Sequence, residues 1–584
     1  MGQEDVRIVV VRGDDATSGY LFQRPEKILV ANRPDEVLAV LREIQRAVGK
    51  GMCAAGFLTY EASSGLDAAM RTHSGYELPI PLAWFGIFRS ADEFRIPADS
   101  KVGAFRVGEW KPSVSAAQHA DAVGRIKAYL KSGDTYQVNF TFRLRASFQG
   151  EPWGLFCRIQ RNQRSRYASF IETDRFAICS VSPELFFSLD GDTLLSKPMK
   201  GTSKRGLTSA LDRELKDRLQ SSAKEVAENV MIVDMVRNDM GRVALPGTVV
   251  ASHLFDVEQY QTVLQMVSAV SCETSSELPE IMRALFPCAS VTGAPRIRTM
   301  QIIRDLEPDP RGIYTGCIGY VLPGRRAQFN VAIRTVLVDK QAGAAEYGVG
   351  GGIVWDSNPV REYQECAVKS DVLTAQRPQF DLLETMLLEK EGSYFLLEEH
   401  LRRLADSAMY FNFSFDLGAI RRRLAAKGAE MAGTLSKVRL LATENGEITI
   451  TTAPLDTPDL VKPWRLALAK DPVDVESPYL YHKTTNRIVY DLARKSRPGY
   501  DDVLMRNSRD EVTESTIANV VIMKNGRGLT PPVSCGLLPG VFRNWLVDHG
   551  ELTEEVLTVA DIYEADSVFL INSVRKWIPA ELIR

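Results

Sequence analysis

Two lysines in this sequence have neighbours that suggest chemistry at an active site. Lys200 stands in the segment PMKGTSKRG, on a predicted glycine turn directly after the strand-like run DTLLSK. Lys483 follows His482 in the segment YLYHKTTNRIVYDLARK. A lysine amine that is partly desolvated loses its proton more easily and can act as a nucleophile. Most lysines are simply solvated at the surface. Either lysine is therefore a candidate active-site residue only if other functional residues accompany it in the sequence.

The glutamates of the first half form two pairs with helical spacing. Glu225 and Glu228 are three residues apart in SSAKEVAENVMIVDMVRND, and Glu362 and Glu365 are three apart in DSNPVREYQECAVKS. On a helix, both members of such a pair project from one face. Two acidic pairs on separate helices could hold one magnesium ion, which takes a few carboxylate oxygens and leaves positions for water and an anionic substrate. Spacing alone leaves a solvated helix face as the alternative.

Small residues and isolated cations lie close to these pairs in the sequence. The glycines at 350–352 follow a predicted strand in EYGVGGGIVWDSNP, where bare backbone amides could approach an anion. This cluster lacks the GK[ST] ending of a nucleotide-binding P-loop. Thr292 precedes a predicted helix in ASVTGAPRIRTM, Arg334 lies in the apolar strand-like run FNVAIRTV, and Lys369 follows Glu365 by one helical turn.

The elements that must position these residues predict an α+β architecture. Predicted strands such as RFAICSV and PELFFSLD precede a long helical region, LKDRLQSSAKEVAENVMIVDMV, and more strands follow in AQFNVAIRTVLV and AEYGVGGGIV. A polar, proline-containing joint in VLTAQRPQFDLLET separates a domain of residues 1–376 from a domain of residues 377–584. In the second domain, GSYFLLEEHLRRLADSAMYFNFSF predicts a strand and a helix, and SKVRLLATENGEITITTAP predicts a hairpin, so this domain is expected to be a smaller α/β unit.

Composition narrows the class of protein. The chain has 584 residues, 45% of them hydrophobic and 25% charged, with a net charge of −3, which is typical of a globular protein and not of a nucleic-acid-binding one. No run approaches the about 18 apolar residues of a membrane helix, and MGQEDVRIVVVRGDD does not resemble a signal peptide. The eight cysteines form no CxxC pair. We therefore expect a cytoplasmic protein without a nucleic-acid or membrane partner.

Six segments, in matching order, resemble the chorismate-utilising enzymes: PMKGTSKRG, AENVMIVDMVRNDMGRV, SVTGAPRIRTM, YTGCIGYV, FNVAIRT and GVGGGIVWDSNPVREYQE. This family includes anthranilate synthase component I, aminodeoxychorismate synthase component I, isochorismate synthase and salicylate synthase, all of which bind chorismate with magnesium. The resemblance implies antiparallel sheets flanked by helices. Lys200 matches the lysine of the PIKGT-type motif in aminodeoxychorismate synthases, where anthranilate synthases carry alanine. It therefore implies amination of chorismate.

The same resemblance implies individual roles. Lys200 would attack C2 of chorismate as the C4 hydroxyl leaves, and ammonia would then enter at C4 and expel the lysine. The implied magnesium ligands are Glu225, Glu228, Glu362 and Glu365. The implied contacts to the carboxylates of chorismate are Thr292, Arg334, Gly350, Gly351, Gly352 and Lys369. The sequence departs from the family pattern at Ala289, Arg296 and Gln265, which replace a glycine, a lysine and a histidine. Loss of the histidine fits an enzyme that leaves the elimination of pyruvate to another site, and the lack of an LLES-type motif predicts no feedback by tryptophan.

The second domain resembles the fold-type IV pyridoxal phosphate enzymes. The resemblance rests on LEEHLRRLADSA, YHKTTNRIVYDLARK, EVTESTIANV, GLLPGVFRNWL and FLINSVRKW. This family includes aminodeoxychorismate lyase, branched-chain aminotransferases and D-amino acid aminotransferases. It implies that Lys483 carries the cofactor and later moves a proton, and that Glu514 pairs with the pyridinium nitrogen. The implied phosphate contacts are Arg403, Gly540, Val541, Asn572 and Ser573.

Together the two resemblances predict a bifunctional enzyme that makes para-aminobenzoate for folate, because the product of the first domain is the substrate of the second. Two alternatives stay open. The first domain could be of the anthranilate or isochorismate synthase type, fused to an aminotransferase, or the second domain could be a degenerate scaffold. No cysteine stands in a glycine-flanked elbow with the partners of a glutaminase, so we expect ammonia from a separate glutamine amidotransferase or from solution. Analogy with fold-type IV enzymes predicts a homodimer through the second domain.

Overall fold

The computed structural model describes residues 6–13, 15–73, 78–97, 103–375, 377–455 and 462–583. Contacts within the chain divide it into two compact units. The first unit is Met1–Lys204 with Lys216–Arg377, and the second is Arg205–Leu215 with Pro378–Arg584. The boundary near residue 377 lies one residue from the one that the sequence predicts, whereas the assignment of 205–215 to the second unit has no signal in the sequence. In the described part of the chain, no helix is both long and apolar enough to cross a membrane.

The first unit is built from antiparallel strands with helices between them. Its strands are β1 (Arg7–Val11), β2 (Ser18–Gln23), β3 (Lys27–Ala31), β4 (Cys53–Leu58), β5 (Ala83–Phe88), β6 (Asp92–Arg95), β7 (Phe105–Val107), β8 (Lys111–Pro112), β9 (Gln137–Gly150), β10 (Tyr167–Glu172), β11 (Phe176–Ser182), β12 (Leu185–Asp190), β13 (Thr193–Lys197), β14 (Met199–Lys204), β15 (Val250–Gln259), β16 (Val263–Glu273), β17 (Gly293–Ala294), β18 (Cys317–Leu322), β19 (Arg326–Val331), β20 (Thr335–Asp339) and β21 (Ala344–Ile353). The helices up to residue 377 are α1 (Pro34–Gly49), α2 (Ser63–Leu66), α3 (Ala116–Lys131), α4 (Pro152–Gln163), α5 (Ser209–Ser221), α6 (Ala223–Gly241), α7 (Leu278–Leu285), α8 (Arg296–Leu306) and α9 (Pro359–Ser370).

These strands form two large sheets that pack face to face. The first sheet has the order β17-β9-β21-β20-β11-β10-β1-β2-β6, and the second has the order β14-β16-β13-β12-β19-β18-β4-β5-β3. Ile8 and Ile178 of the first sheet share a buried core with Phe57 and Ile318 of the second. A further core joins the second sheet to α1, α6 and α7. The prediction of antiparallel sheets flanked by helices is confirmed.

The helices that carry the glutamate pairs begin at capping residues. The region predicted as one long helix consists of two helices, because α5 ends at Ser221 and α6 begins after Ser222. The side chain of Ser222 accepts a hydrogen bond from the backbone of Glu225. Helix α9 begins in the same way, because the side chain of Asn358 accepts from the next turn and Pro359 occupies the first helical position. Both caps therefore place a glutamate pair in or just after the first turn of a helix.

Lys200 lies in strand β14 and not on the tight turn that the sequence predicts. The pairing of β14 with β16 slips between Met199 and Thr202, so β14 contains a bulge with one extra residue. Gly201 occupies this bulge with φ of 91°, a left-handed conformation that glycine adopts without strain. The expectation that Arg334 lies within a strand is also wrong, since it falls between β19 and β20 with φ of 50°.

The three glycines at 350–352 continue β21 and do not form a loop. Each pairs with a residue of β9, in the register Gly350 to Thr141, Gly351 to Phe140 and Gly352 to Asn139. Helix α9 then starts six residues after the strand ends. The glycines therefore lie within the sheet. The described segment 350–358 does not form the predicted anion-binding loop of glycines.

The second unit combines two smaller sheets with helices. Its strands are β22 (Leu382–Leu388), β23 (Ser436–Ala442), β24 (Ile448–Pro454), β25 (Trp464–Leu468), β26 (Asp502–Arg506), β27 (Val512–Ser515), β28 (Asn519–Lys524), β29 (Arg527–Thr530), β30 (Thr553–Glu554), β31 (Ser567–Asn572) and β32 (Lys576–Leu582). Its further helices are α10 (Leu397–Phe411), α11 (Leu417–Glu430), α12 (Ile488–Ser496), α13 (Val541–Asp548) and α14 (Val559–Glu564). One sheet is β22-β23-β24, and the other has the order β27-β26-β25-β32-β31-β28-β29-β30, with β25 parallel to both neighbours. The expected hairpin is formed by β23 and β24, but the strand expected before α10 is reduced to one bridge between Leu388 and Tyr394.

The segment 205–215 is held within the second unit by hydrogen bonds to α10. The Tyr410 hydroxyl donates to the carbonyl of Gly206 at 2.7 Å, and the Ser209 hydroxyl donates to the carbonyl of Asp406 at 3.0 Å. These pairings join residues 204 and 197 positions apart, so local sequence patterns do not encode them.

Candidate active sites

A cavity of about 210 Å³ in the first unit brings together nearly all the residues predicted for the first site. It is lined by β14 and β16 of one sheet, by β9 and β21 of the other, and by α6 and α9. The predicted residues that line it are Lys200, Glu225, Glu228, Arg334, Gly350, Gly351, Gly352, Glu362, Glu365 and Lys369. Residues separated by more than 160 positions in the sequence therefore face one space.

The Lys200 amine is partly buried among charged groups of both signs. Desolvation is the main cause that lowers its pKa below the ordinary value. The carboxylates of Glu228, Glu184 and Glu365 oppose this shift, while the ammonium group of Lys369 adds to it. The net direction favours the neutral amine, which is the nucleophilic form.

The four glutamates bring four carboxylates to the cavity, which is also lined by the cations Lys200, Lys224, Arg334 and Lys369. Burial raises the pKa of Glu225, and the neighbouring Glu228 raises it further. Burial also raises the pKa of Glu362, to which Glu365 adds, although a hydrogen bond from Ser357 acts in the opposite direction.

Among the four glutamates, Glu228 lies 3.8 Å from Lys224 Nζ, whereas Glu365 has a closer cationic partner. Its carboxylate lies 2.7 Å from Lys369 Nζ. Burial alone would raise its pKa, but Lys369, together with smaller effects of Lys200 and Lys224, outweighs burial and the pKa is lowered. The same Lys369 Nζ donates to the carbonyl of Gly350 at 3.0 Å, which ties helix α9 to strand β21.

The donor set fits a hard divalent cation in charge and type. Within the described residues, no three Asp, Glu, His or Cys side chains are already close enough together to hold a metal ion. The four carboxylates nevertheless line one cavity, and two of them have pKa values raised by burial and by a neighbouring carboxylate. A cation with oxygen ligands would relieve this repulsion.

Arg334 is the cation best placed to receive a substrate carboxylate. It lines the cavity, and the described residues include no carboxylate in an ion pair with its guanidinium. Thr292, in contrast, does not line the cavity. Its hydroxyl is fully buried and donates to the carbonyls of Cys288 and Ala289 at 3.0 and 3.2 Å. Thr292 therefore closes its own turn, and the neighbouring Ser290 lines the cavity instead.

Two buried polar side chains of the site were not predicted from the sequence. Glu184 accepts a hydrogen bond from the Ser290 hydroxyl at 2.6 Å, and burial raises its pKa to about 7 against the opposing effects of Ser290 and Lys200. Gln137 is fully buried, and within the described residues neither polar atom of its amide has a hydrogen-bond partner. Glu184 stands in the run PELFFSLD, which predicted only a strand, and Gln137 has no sequence signal.

Lys483, the lysine predicted to carry the cofactor, lies in a loop before α12 in the second unit. Its carbonyl accepts a hydrogen bond from the backbone of Leu383 at 3.0 Å. Burial lowers the pKa of its amine to about 8, and Arg403 contributes in the same direction. Glu384 and Glu514 act against this shift. A lysine with such a pKa is available as a neutral amine near neutral pH.

Glu514 is buried among neutral hydrogen-bond donors. Its carboxylate accepts from the Tyr490 hydroxyl at 2.7 Å, from the backbone of Leu538 at 3.1 Å and from the amide of Asn519 at 3.3 Å. Burial raises its pKa to about 7. A buried carboxylate without a cation in contact is suited to pair with a protonated ring nitrogen.

Arg403 is held by a buried carboxylate that the sequence did not single out. Its Nε and Nη2 donate to the two oxygens of Glu384 at 2.9 and 2.7 Å, and His400 Nδ1 lies 2.6 Å from the same carboxylate. Burial would raise the pKa of Glu384, but Arg403 and His400 lower it to about 2. The remaining Nη1 of Arg403 donates to the carbonyl of Pro539 at 3.2 Å, directly before Gly540.

The other predicted phosphate contacts lie at two turns. Gly540 caps helix α13 and Val541 is its first residue. A Cβ on Gly540 would lie 1.9 Å from the amide oxygen of Asn519, so no larger residue fits there. Asn572 uses its own amide oxygen to accept from the backbones of residues 574 and 575, at the turn that also contains Ser573. Lys483, Glu514, Arg403 and the start of α13 together fit pyridoxal phosphate, whereas the Asn572 turn makes no hydrogen bond with Arg403 in the described residues.

Family comparisons agree with the two units. The model of the chorismate binding enzyme family matches residues 8–375, and the model of the Amino-transferase class IV family matches residues 381–583. Aminodeoxychorismate synthase component 1 of Salmonella typhimurium is 39% identical over 258 residues, which cover 44% of this chain and 56% of that protein. The same component of Bacillus subtilis is 40% identical over 253 residues, which cover 43% of this chain and 53% of that protein. The chain therefore spans little more than half the length of these relatives.

A solved structure supports the fold of the first unit. Anthranilate synthase component I from Streptococcus pneumoniae superimposes with a TM-score of 0.52 and 24% identity, covering 64% of this chain and 92% of that one. At this identity the likeness shows a shared fold and no more. The match of one family model to more than half of the chain shows that the protein belongs to the chorismate binding enzymes.

Proposed function

We propose that the first unit aminates chorismate at C4 with ammonia, giving 4-amino-4-deoxychorismate and water, and that the second unit converts this compound to para-aminobenzoate and pyruvate. The observation that carries the first step is the position of Lys200, a partly buried amine of lowered pKa in a cavity lined by four glutamates. The similarity to aminodeoxychorismate synthase component 1 supports the same reaction.

In the first step, Lys200 supplies a temporary covalent bond. Its neutral amine forms a bond to C2 of chorismate while the allylic double bond shifts and the C4–O bond breaks. The hydroxyl leaves as water with a proton from Glu184, whose pKa of about 7 lets it hold that proton near neutral pH. Ammonia then bonds to C4 as the bond between C2 and the lysine breaks, which restores the double bond and the free amine. The new ammonium group at C4 returns one proton to the Glu184 carboxylate, which completes the cycle. Arg334 and Lys369 would hold the substrate carboxylates.

Magnesium would be held by Glu225, Glu228, Glu362 and Glu365 and would supply positive charge for binding and polarising the anionic substrate. Because glycines 350–352 form part of the same wall, they leave room for substrate beside these carboxylates.

In the second step, bound pyridoxal phosphate would supply an electron sink. Lys483 would carry the cofactor and then remove the proton from the aminated carbon as the bond to enolpyruvate breaks and the ring becomes aromatic. Glu514 would pair with the pyridinium nitrogen, and Arg403 with Gly540 and Val541 would hold the phosphate. Asn572 and Ser573 complete this phosphate site in the proposal.

The supply of ammonia and the assembly of the protein belong to the same proposal. We assign the supply of ammonia to a separate glutamine amidotransferase. The relatives are named as component 1 of aminodeoxychorismate synthase, which fits an enzyme that works with a second component. We place the enzyme in the cytoplasm as a homodimer formed through the second unit, by analogy with fold-type IV enzymes.

The test is to incubate the purified chain with chorismate, ammonium, magnesium and pyridoxal phosphate and to identify the aromatic product by chromatography and mass spectrometry. The proposal expects para-aminobenzoate. Anthranilate would overturn it in favour of an anthranilate synthase, and isochorismate would overturn it in favour of an isochorismate synthase.

Two variants separate the steps. Lys200→Ala should abolish amination while chorismate still binds, whereas Lys483→Ala should let 4-amino-4-deoxychorismate accumulate. The matched controls are Lys204→Ala, an exposed lysine of the same strand, and Lys495→Ala, an exposed lysine on α12. Normal amination by the Lys200 variant would refute the nucleophilic lysine, and normal release of para-aminobenzoate by the Lys483 variant would refute the second site.

A further inference from the structure

We propose that Asn229 and Gln265 are positioning residues that hold Lys200 in place, because their side-chain amides bind the two carbonyl oxygens at the bulge of strand β14. This inference rests on the proposed function of Lys200 as the nucleophile of the amination step. Asn229 does not line the cavity, whereas Gln265 does, but both polar atoms of the Gln265 amide are bonded to Gly201 and Thr202.

The bulge interrupts backbone pairing at Lys200 and Gly201, so their carbonyl groups need other hydrogen-bond donors. Met199 pairs with Val267 and Thr202 pairs with Gln265, so two residues of β14, Lys200 and Gly201, share the space opposite one residue of β16. A bulge interrupts the regular ladder of backbone hydrogen bonds at such a point and re-aims the side chain it carries. Buried backbone carbonyls without ladder partners are stabilised by side-chain donors.

Asn229 satisfies the first of these carbonyls from helix α6. Its amide nitrogen donates to the carbonyl of Lys200 at 3.3 Å, and its amide oxygen accepts from the Ser268 hydroxyl at 2.6 Å. Ser268 in turn accepts a hydrogen bond from the backbone of Phe255 at 3.1 Å. These partners fix the orientation of the Asn229 amide, which is almost fully buried next to Glu228.

Gln265 satisfies the second carbonyl from strand β16. Its amide nitrogen donates to the carbonyl of Gly201 at 2.8 Å, and its amide oxygen accepts from the Thr202 hydroxyl at 3.0 Å. One side chain thus binds both the bulge residue Gly201 and the residue that follows it, Thr202. A histidine at this position would offer a different arrangement of donor and acceptor.

Close packing around the bulge fixes the position of the Lys200 amine as well as that of its backbone. A Cβ on Gly201 would lie 3.2 Å from a carboxylate oxygen of Glu225 and 3.3 Å from Met266 Cβ, so the backbone has little room to shift. Lys200 Nζ in turn lies against Gly352. A displacement of the nucleophile by about 1 Å is enough to cost about 100-fold in rate.

The experiment compares Asn229→Leu and Gln265→Met, which remove the amides at similar volume, with Asn162→Leu. Asn162 is a buried asparagine whose amide donates to the carbonyls of Val372 and Ala375 at 3.0 and 2.8 Å, away from the cavity. The number of chorismate-binding sites per chain is measured by calorimetry without ammonia, so that kcat is expressed per competent site.

Under the proposal, kcat for amination falls by about 10- to 100-fold in each of the two variants, while KM for chorismate changes by less than about threefold because both amides are bonded to strand β14 and not to substrate. Deuterium exchange of the backbone amides of β14 becomes faster in both variants. The Asn162 variant changes neither quantity, although its thermal stability falls.

Unchanged kcat per site in the two variants would overturn the inference even if exchange became faster, and a lower kcat with unchanged exchange in β14 would overturn it as well. If one variant fails to fold, the other is judged by the same two measurements. Failure of the proposed function looks different, because the wild-type chain would then make no 4-amino-4-deoxychorismate. In that case deuterium exchange alone decides whether these amides hold the Lys200 segment.

Discussion

Lys200 and Gly352 face each other so closely that one methyl group on the glycine would reach the amine. The position that a Cβ would take on Gly352 lies 2.7 Å from Lys200 Nζ and 2.9 Å from the amide nitrogen of Gln137. Gly352 lies in strand β21, and positive φ is not its reason for being glycine. The glycine therefore provides space for the amine, and it brings the two sheets together at the site.

Replacement of Gly352 by alanine tests this close approach. The added methyl group would push the flexible end of Lys200 aside, and we expect kcat for amination to fall by about 10- to 100-fold. Steady-state kinetics with ammonia and chorismate measure this effect. Gly124→Ala is the control, since nothing lies within 4 Å of its Cβ position on α3 and alanine favours a helix. Equal loss of activity in both variants would show that the space beside Lys200 is not the cause.

The glutamate cavity predicts opposite effects of neutral substitutions with and without magnesium. In Glu225→Gln and Glu362→Gln, a carboxylate whose pKa is raised by burial and by its neighbour becomes neutral. We expect the Tm of the metal-free protein to stay constant or rise, because repulsion is relieved. We expect the rise in Tm on adding magnesium to shrink, because a ligand is lost.

Differential scanning calorimetry with a magnesium titration measures both effects. The control is Glu280→Gln, an exposed glutamate on α7 that should respond to magnesium as the wild type does. A full response to magnesium in both cavity variants would mean that these carboxylates do not hold the ion.

Sequence patterns predicted the residues that lie on regular elements. The glutamate pairs could be placed together because their three-residue spacing and the capping residues Ser222 and Asn358 are local signals. Lys200 could be identified as a site residue from its motif, but its bulge depends on pairing with β16, which begins at Val263. Non-local pairing of this kind leaves no periodic pattern in the sequence.

The site residues that the sequence missed or misplaced owe their positions to tertiary structure. Glu184 is an ordinary acidic residue before an apolar run, and only the fold buries it beside Ser290. Arg334 stands in a run whose apolar character favours a strand, yet the chain turns there. Thr292 follows Ser290 closely in the family-like motif, but only the conformation of the turn decides which hydroxyl faces the cavity.

The contact between Glu384 and Arg403 predicts a variant with weaker cofactor binding. Glu384→Gln replaces a two-point ion pair with a neutral amide and leaves the guanidinium less well oriented toward the start of α13. We expect the Kd for pyridoxal phosphate to rise by about 10- to 100-fold, which corresponds to one charged hydrogen-bond pair. Absorbance titration of the metal-free protein with the cofactor measures this affinity without any turnover.

Glu398→Gln is the matched control, because Glu398 lies on the same helix α10 as Arg403 and forms an exposed ion pair with Arg421. Its cofactor affinity should equal that of the wild type. An unchanged Kd in Glu384→Gln would show that the Glu384 carboxylate is not needed to orient Arg403.

His482 predicts a loss of stability in mild acid. Its ring stacks on Tyr410 with centroids 4.2 Å apart and lies 3.0 Å from the Ser407 hydroxyl. Burial lowers its pKa to about 3, whereas an unfolded histidine has a pKa of about 6.5. Because the unfolded chain takes up this proton first, the contribution of neutral His482 is fully present above about pH 6.5 and is lost as the pH falls toward 3.

The variant His482→Gln keeps a polar side chain for Ser407 but does not titrate. We expect the free energy of unfolding of the second unit to fall less between pH 7 and pH 5 in this variant than in the wild type, by up to about 1.4 kcal/mol for each pH unit below 6.5. Urea unfolding followed by pulse proteolysis, with peptides from residues 378–584 identified by mass spectrometry, measures this difference. The exposed His549→Gln serves as the control and should follow the wild type. Parallel pH dependence in wild type and His482→Gln would mean that the imidazole accepts its proton in the folded protein as readily as in the unfolded chain.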